Sequence, residues 1–192
     1  MKKIIIFIIL FSSTISNISA EEIKRIFVGN KDAQIIIIAF ESLTCSHCAN
    51  FHKDVFPDLK KEFLDTGLAK IEFRHFPLDI AAFNASKVSQ CNNDGDSNIL
   101  NSLFANQKKW VKGNSIEEAN KNLQKFLVSE GFNLDFEKCI NDKEIEDFVL
   151  NDRIDGVKKF KVNATPTIII NNKKFEKTLN YKNLKKSLEK LI

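Results

Sequence analysis

The sequence predicts an α/β fold whose sheet is interrupted by a long, wholly helical insertion. Three observations carry this. Residues 35–40, read Ile35-Ile36-Ile37-Ile38-Ala39-Phe40, form an apolar run without alternation, the pattern of a strand buried on both faces. A helical repeat and a second strand at 71–76 follow, and such a crossover implies parallel pairing. Residues 80–159 then show no strand pattern at all, until a strand returns at 165–170.

Residues 1–20 have the build of a secretory signal. Lys2 and Lys3 precede eight apolar residues, Ile4 to Phe11, and Ile18-Ser19-Ala20 ends in a small residue suited to cleavage after Ala20. The run falls short of the ~20 residues of a membrane-spanning helix. Loss of the two lysines leaves the formal charge of +4 nearly neutral, which gives no case for nucleic acid as a partner. With 43% hydrophobic and 28% charged residues the remainder reads as an ordinary globular protein. All four cysteines lie in the exported part, and an even number there suits disulfides.

In chain order, residues 23–28 read as a first short strand closed by Gly29-Asn30, and 35–40 as the central strand. The helix after it repeats apolar residues at Cys48, Phe51, Val55, Leu59 and Phe63. Pro57 removes the bond to the Lys53 carbonyl and predicts a kink. Thr66-Gly67 ends the helix, and Pro77 closes the strand at 71–76. Within the insertion, helices are expected from Ala81 to Cys91, from Ile99 to Val111, from a Ser115 cap through Leu127, over 136–140 and over 145–157. After the strand at 165–170, Asn171-Asn172 suits a tight hairpin turn into an edge strand at 173–177, and 180–192 is a closing amphipathic helix. The expected organisation is thus a signal (1–20), an α/β domain (21–79 and 160–192) and a helical insertion (80–159).

The chemistry concentrates at Cys45-Ser46-His47-Cys48, set between the central strand and a helix. That context reads as a redox dithiol. Spacing alone also allows a structural disulfide or, with His52 four residues on, part of a metal site. Four cysteines allow three pairings. If Cys45 pairs with Cys48, then Cys91 pairs with Cys139 or both stay free, and a bond between them is expected to be structural.

Phe40-Glu41-Ser42-Leu43-Thr44-Cys45-Ser46-His47-Cys48-Ala49-Asn50-Phe51-His52 resembles the active-site segment of the DsbA-like thiol:disulfide oxidoreductases. Phe73 to Asp79, Leu103 to Gln107 with Trp110, and Val162 to Thr167 resemble further segments of that family in the same order. The resemblance implies a thioredoxin fold with an inserted helical domain. Two positions depart from it: Ser46 stands where proline is commonest, and Ala39 where relatives often carry an acidic residue, with Glu41 two positions on as a candidate replacement.

The resemblance makes Cys45 the nucleophile, at a helix N-terminus whose free N–H groups favour a thiolate. Cys48 becomes the resolving thiol and His47 a stabiliser of the Cys45 thiolate. Pro166 is expected to be cis, leaving the Thr165 backbone free to pair with an extended substrate. His52 and His75 are expected to be structural. The implied activity is that of a monomeric periplasmic dithiol oxidase acting on thiols of unfolded exported proteins and reoxidised by a DsbB-type membrane oxidase, with no cofactor or metal. A reductase or isomerase of the same fold is the alternative. A metal-binding, copper-handling protein using Cys45, Cys48 and His52 is the more distant one.

Overall fold

The computed structural model describes residues 22–192; the expected signal segment lies outside them. A five-stranded sheet has the order β1-β3-β2-β4-β5. The strands are β1 (Phe27–Gly29), β2 (Ile35–Glu41), β3 (Ala69–His75), β4 (Thr167–Ile170) and β5 (Lys173–Lys174). The central β2 pairs in parallel with β3, as its crossover requires, and antiparallel with β4. Between β2 and β3 run α1 (Ser46–Asp54), α2 (Phe56–Leu59) and a π-helical turn (Lys60–Leu64).

Six helices lie between β3 and β4 among the described residues: α3 (Ile80–Gln90), α4 (Asn98–Ala105), α5 (Gln107–Trp110), α6 (Ile116–Ser129), α7 (Phe136–Asn141) and α8 (Lys143–Phe160). The chain closes with α9 (Tyr181–Leu188) and a short 3-10 turn. This is the α/β frame with a helical insertion expected from the pattern.

β2 is the hinge of two apolar clusters because side chains alternate across it. Ile35, Ile37 and Ala39 face a large core that continues through α1, α9 and the insertion as far as Trp110 and Leu123. Ile38 and Phe40 face a smaller one with Phe76, Val162 and Ile169. There α8 approaches so closely that a Cβ on Gly156 would sit 2.9 Å from the Phe40 ring. A larger residue at Gly156 would push α8 off the sheet.

Several boundaries differ from the pattern, each for a local reason. The first strand is shorter than 23–28. Ile26 O still accepts from Phe73 N at 3.0 Å, but Lys24 N is held by Asn93 Oδ1 and Arg25 by Asp152, so side chains replace the ladder there. The long helix after β2 breaks at Val55, two residues before Pro57. The helix expected over 99–111 breaks at Asn106, whose side chain bonds back to Ser102 O. β4 begins at Thr167, directly after the cis Thr165–Pro166 bond. Asn171 and Asn172 both take left-handed φ, the geometry of a tight hairpin turn. β5 ends at Lys174, although Phe175 N still donates to Ile168 O.

One buried polar cluster ties the insertion to the frame. Asp152 on α8 accepts from Arg25 at 2.6 Å and from the His75 backbone N–H at 3.1 Å. Burial holds the His75 side chain down to about 3, so it is neutral across the ordinary pH range.

Candidate active site

α1 begins directly at the motif. Cys45 is its N-cap, with extended backbone (φ −77°, ψ 119°), and its carbonyl accepts from Cys48 N and Ala49 N. The Cys45 side chain therefore lies among the unsatisfied N–H groups of the first turn, where negative charge is favoured. Both thiols are free. Their surroundings differ sharply. Cys45 is partly exposed, and its pKa is held down to about 5, first by a hydrogen bond from the Cys48 thiol, against an opposing cost of burial. Thr165 and the backbone N–H groups of Cys48 and His47 add to the lowering. Cys48 is wholly buried, and burial pushes its pKa far up, with Cys45 and Glu41 adding to the rise.

Across from Cys45 stands the cis Thr165–Pro166 peptide, with Cys45 Sγ 3.4 Å from the Thr165 carbonyl oxygen. The expected site residues Cys45, Cys48, Thr165 and Pro166 thus converge. The His47 side chain is exposed, and its backbone N–H faces the Cys45 sulfur.

Behind the thiols lies a pair that the sequence did not join. Glu41, at the end of β2, is buried, and its Oε2 meets His52 Nε2 at 2.9 Å. The His52 ring stacks on Phe104 with centroids 4.1 Å apart. Burial raises the Glu41 pKa, His52 opposes that rise, and the nearby Cys45 adds to it. Glu41 Oε1 has no hydrogen-bond partner although it is buried. Such a carboxyl can hold a proton next to Cys48. His52 is committed to Glu41 and Phe104, and among the described residues no three His, Cys, Asp or Glu side chains gather as a metal site.

The redox loop is held from two sides, by the insertion and by the residue that opens it. Gln107 Nε2 donates to the Leu43 carbonyl at 2.8 Å and to the Cys45 carbonyl at 3.0 Å. Asp79 caps α3 through Ala82 N and also accepts from the Thr44 hydroxyl at 2.7 Å. Neither role follows from local pattern. Gln107 and Asp79 both fall inside the segments that carried the resemblance, which was the only signal pointing to them.

Cys91 and Cys139 form a disulfide between the end of α3 and α7, with Cα atoms 5.4 Å apart. It lies within the insertion.

A strand, a dithiol at a helix N-terminus and a cis-proline opposite define a thioredoxin-type redox site. A family model described as thioredoxin matches residues 21–190. The crystal structure of Wolbachia pipientis alpha-DsbA1 superposes with a TM-score of 0.77 at 30% identity, covering 87% of this chain and 90% of that one. BdbD from Bacillus subtilis superposes with a TM-score of 0.72 at 24% identity, covering 86% and 91%, a likeness of fold. Disulfide bond formation protein D of Bacillus subtilis is 27% identical over 85% of this chain and 75% of its own. A Rickettsia bellii protein provisionally named a protein-disulfide oxidoreductase is 28% identical over 75% of this chain, which spans only 56% of that relative's length. The chain belongs to the DsbA-like proteins of the thioredoxin family.

Proposed function

We propose that this protein is a periplasmic dithiol oxidase that forms disulfides in exported proteins. The observation that supports it is the asymmetry of the redox pair. Cys45 is accessible and its thiolate is stabilised, while Cys48 is buried and its thiolate is not. Stabilising the reduced form makes the disulfide more oxidising.

The reaction follows from the geometry. A substrate thiolate attacks Cys45 Sγ of the Cys45–Cys48 disulfide. The S–S electron pair passes to Cys48, which cannot remain a buried thiolate and takes a proton. Glu41, with its raised pKa and free Oε1, is the group that supplies it, while His52 holds the carboxyl in place through Oε2. The substrate meanwhile lies extended along Thr165, beside Pro166. A second substrate thiolate then attacks the substrate sulfur of the mixed disulfide, and Cys45 leaves as the stabilised thiolate. His47 aids that departure through its backbone N–H. The reduced pair is reoxidised by a membrane oxidase of the DsbB type. All electrons move from sulfur to sulfur, and the protein acts as a monomer. Cys91–Cys139 stays intact throughout as a structural bond.

Equilibration with a glutathione redox buffer tests the reading. The expected potential is well above the roughly −270 mV of thioredoxin; a value near that figure would favour the reductase direction and overturn the proposal.

A further inference from the structure

Two concavities flank the redox pair. One, of about 510 Å³, contains His47, Thr165 and Pro166 and belongs to the exchange site already described. The other, of about 640 Å³, lies on a neighbouring face of α1, between α1–α2 and the α4–α5 corner of the insertion. Its apolar lining includes Ala49, Phe56 and Phe104, and its lining carries Lys53, Lys108 and Lys109 but no aspartate or glutamate. All three lysines are exposed. Lys109 reaches Glu130, outside the lining, at 3.7 Å; Lys53 and Lys108 have no ion pair among the described residues. The cavity begins at Ser46, inside the redox motif.

We infer that this second cavity receives an acidic segment of the thiol-bearing polypeptide, a carboxylate a few residues from the reacting cysteine set against Lys53, Lys108 and Lys109. The inference rests on the dithiol reading above. Ser46, the residue after Cys45, lines the same cavity as the lysines, so a chain joined to Cys45 needs only a few residues, at ~3.3 Å each, to enter it. Lys53 and Lys108 supply positive charge there that no carboxylate among the described residues pairs with, and Lys109 adds to it. The chemistry also gains from it. A carboxylate beside a thiol disfavours its thiolate, the attacking species. Docking that carboxylate on ammonium groups removes the penalty, so acid-flanked cysteines gain both encounter rate and reactivity.

The test uses full-length oxidised protein and two dithiol peptides that differ only in Glu or Gln beside the cysteines. Each rate of reduction of the Cys45–Cys48 bond is normalised to the peptide's rate with neutral 2-hydroxyethyl disulfide. The Glu peptide is expected to react about tenfold faster at low salt, with the ratio collapsing as salt screens it. Lys53→Gln/Lys108→Gln/Lys109→Gln should bring the ratio near one, and Lys108→Glu alone should invert it. Removing the same charge at Lys158, Lys173 and Lys190 should leave it. Equal rates in the unaltered protein, a ratio that survives in the cavity triple, or equal loss in both triples would overturn the inference. If neither peptide reduces the protein, the dithiol reading itself falls and takes this inference with it.

Discussion

Two cysteine pairs sit in one chain and have opposite surroundings. Cys45 and Cys48 share one turn at the start of a helix, face a cis-proline and lie over a buried carboxyl. Cys91 and Cys139 join two helices of the insertion, at positions 48 apart in sequence. Cys139 is fully buried and Cys91 partly so, and both pack against the apolar core. Reactivity therefore comes from placement. A thiol becomes a leaving group where N–H groups, a neighbouring thiol and solvent meet it. Where apolar side chains close over a bond, it becomes a cross-link.

The largest expected effect breaks the comparison at its reactive half. Cys45→Ser should abolish oxidation of reduced substrate protein, a loss of at least about a thousandfold, with far-UV circular dichroism unchanged. Cys91→Ala/Cys139→Ala should retain turnover. A folded double variant without activity would show that the second pair belongs to the chemistry.

Titration sharpens the same contrast. In the reduced protein, Cys45 alkylation should rise with a midpoint near pH 5, against the 9.0 of an ordinary thiol. The folded pKa lies below the unfolded one. The reduced state therefore holds its full extra stability above about pH 9 and loses it as pH falls through about 5. A midpoint near 9 would mean that the helix start does not stabilise the thiolate.

Glu41→Gln keeps the shape but removes the exchangeable proton. Turnover should fall by about a hundredfold, the scale of one general acid–base group, and the pH dependence of Cys48 release should flatten. Stability changes alone, with the pH profile intact, would reduce Glu41 to a structural role.

Much of this was legible in order along the chain. The isoleucines of 35–40 announce a buried strand, and the Cys45–Cys48 spacing before a helical repeat announces a dithiol. The insertion is legible as a stretch without strand pattern. What stayed hidden depends on pairs distant in sequence. Gln107 reaches carbonyls 64 and 62 residues away, and nothing local marks that glutamine. Glu41 and His52 belong to different elements, and only the turn between β2 and α1 folds one over the other. Pro57 announces the break at Val55, two residues before it, but the break at Asn106 depends on a side chain returning to its own backbone, and helical periodicity passes through it without a sign.

Removing the Cys91–Cys139 bond should lower unfolding free energy by about 2–4 kcal/mol, measured by urea denaturation with the Cys45–Cys48 pair in one fixed redox state. No loss would mean that the apolar contacts of α3 and α7 hold the insertion without a cross-link.

The smallest effect is the one that joins the two regions. Gln107 belongs to the insertion but hydrogen-bonds the loop that aims Cys45. Gln107→Ala removes two donor bonds from partly buried carbonyls, worth about 1 kcal/mol each. Part of that loss should appear as global stability. The rest should appear as a looser helix start, raising the Cys45 alkylation midpoint by a few tenths of a pH unit and slowing exchange a few-fold. Gln107→Glu would place a carboxylate against the same carbonyls and near the thiolate, so its midpoint should rise further than that of the alanine variant. If both variants lose stability while the midpoint stays fixed, the insertion supports the redox loop without tuning it. The two cysteine pairs would then be chemically independent.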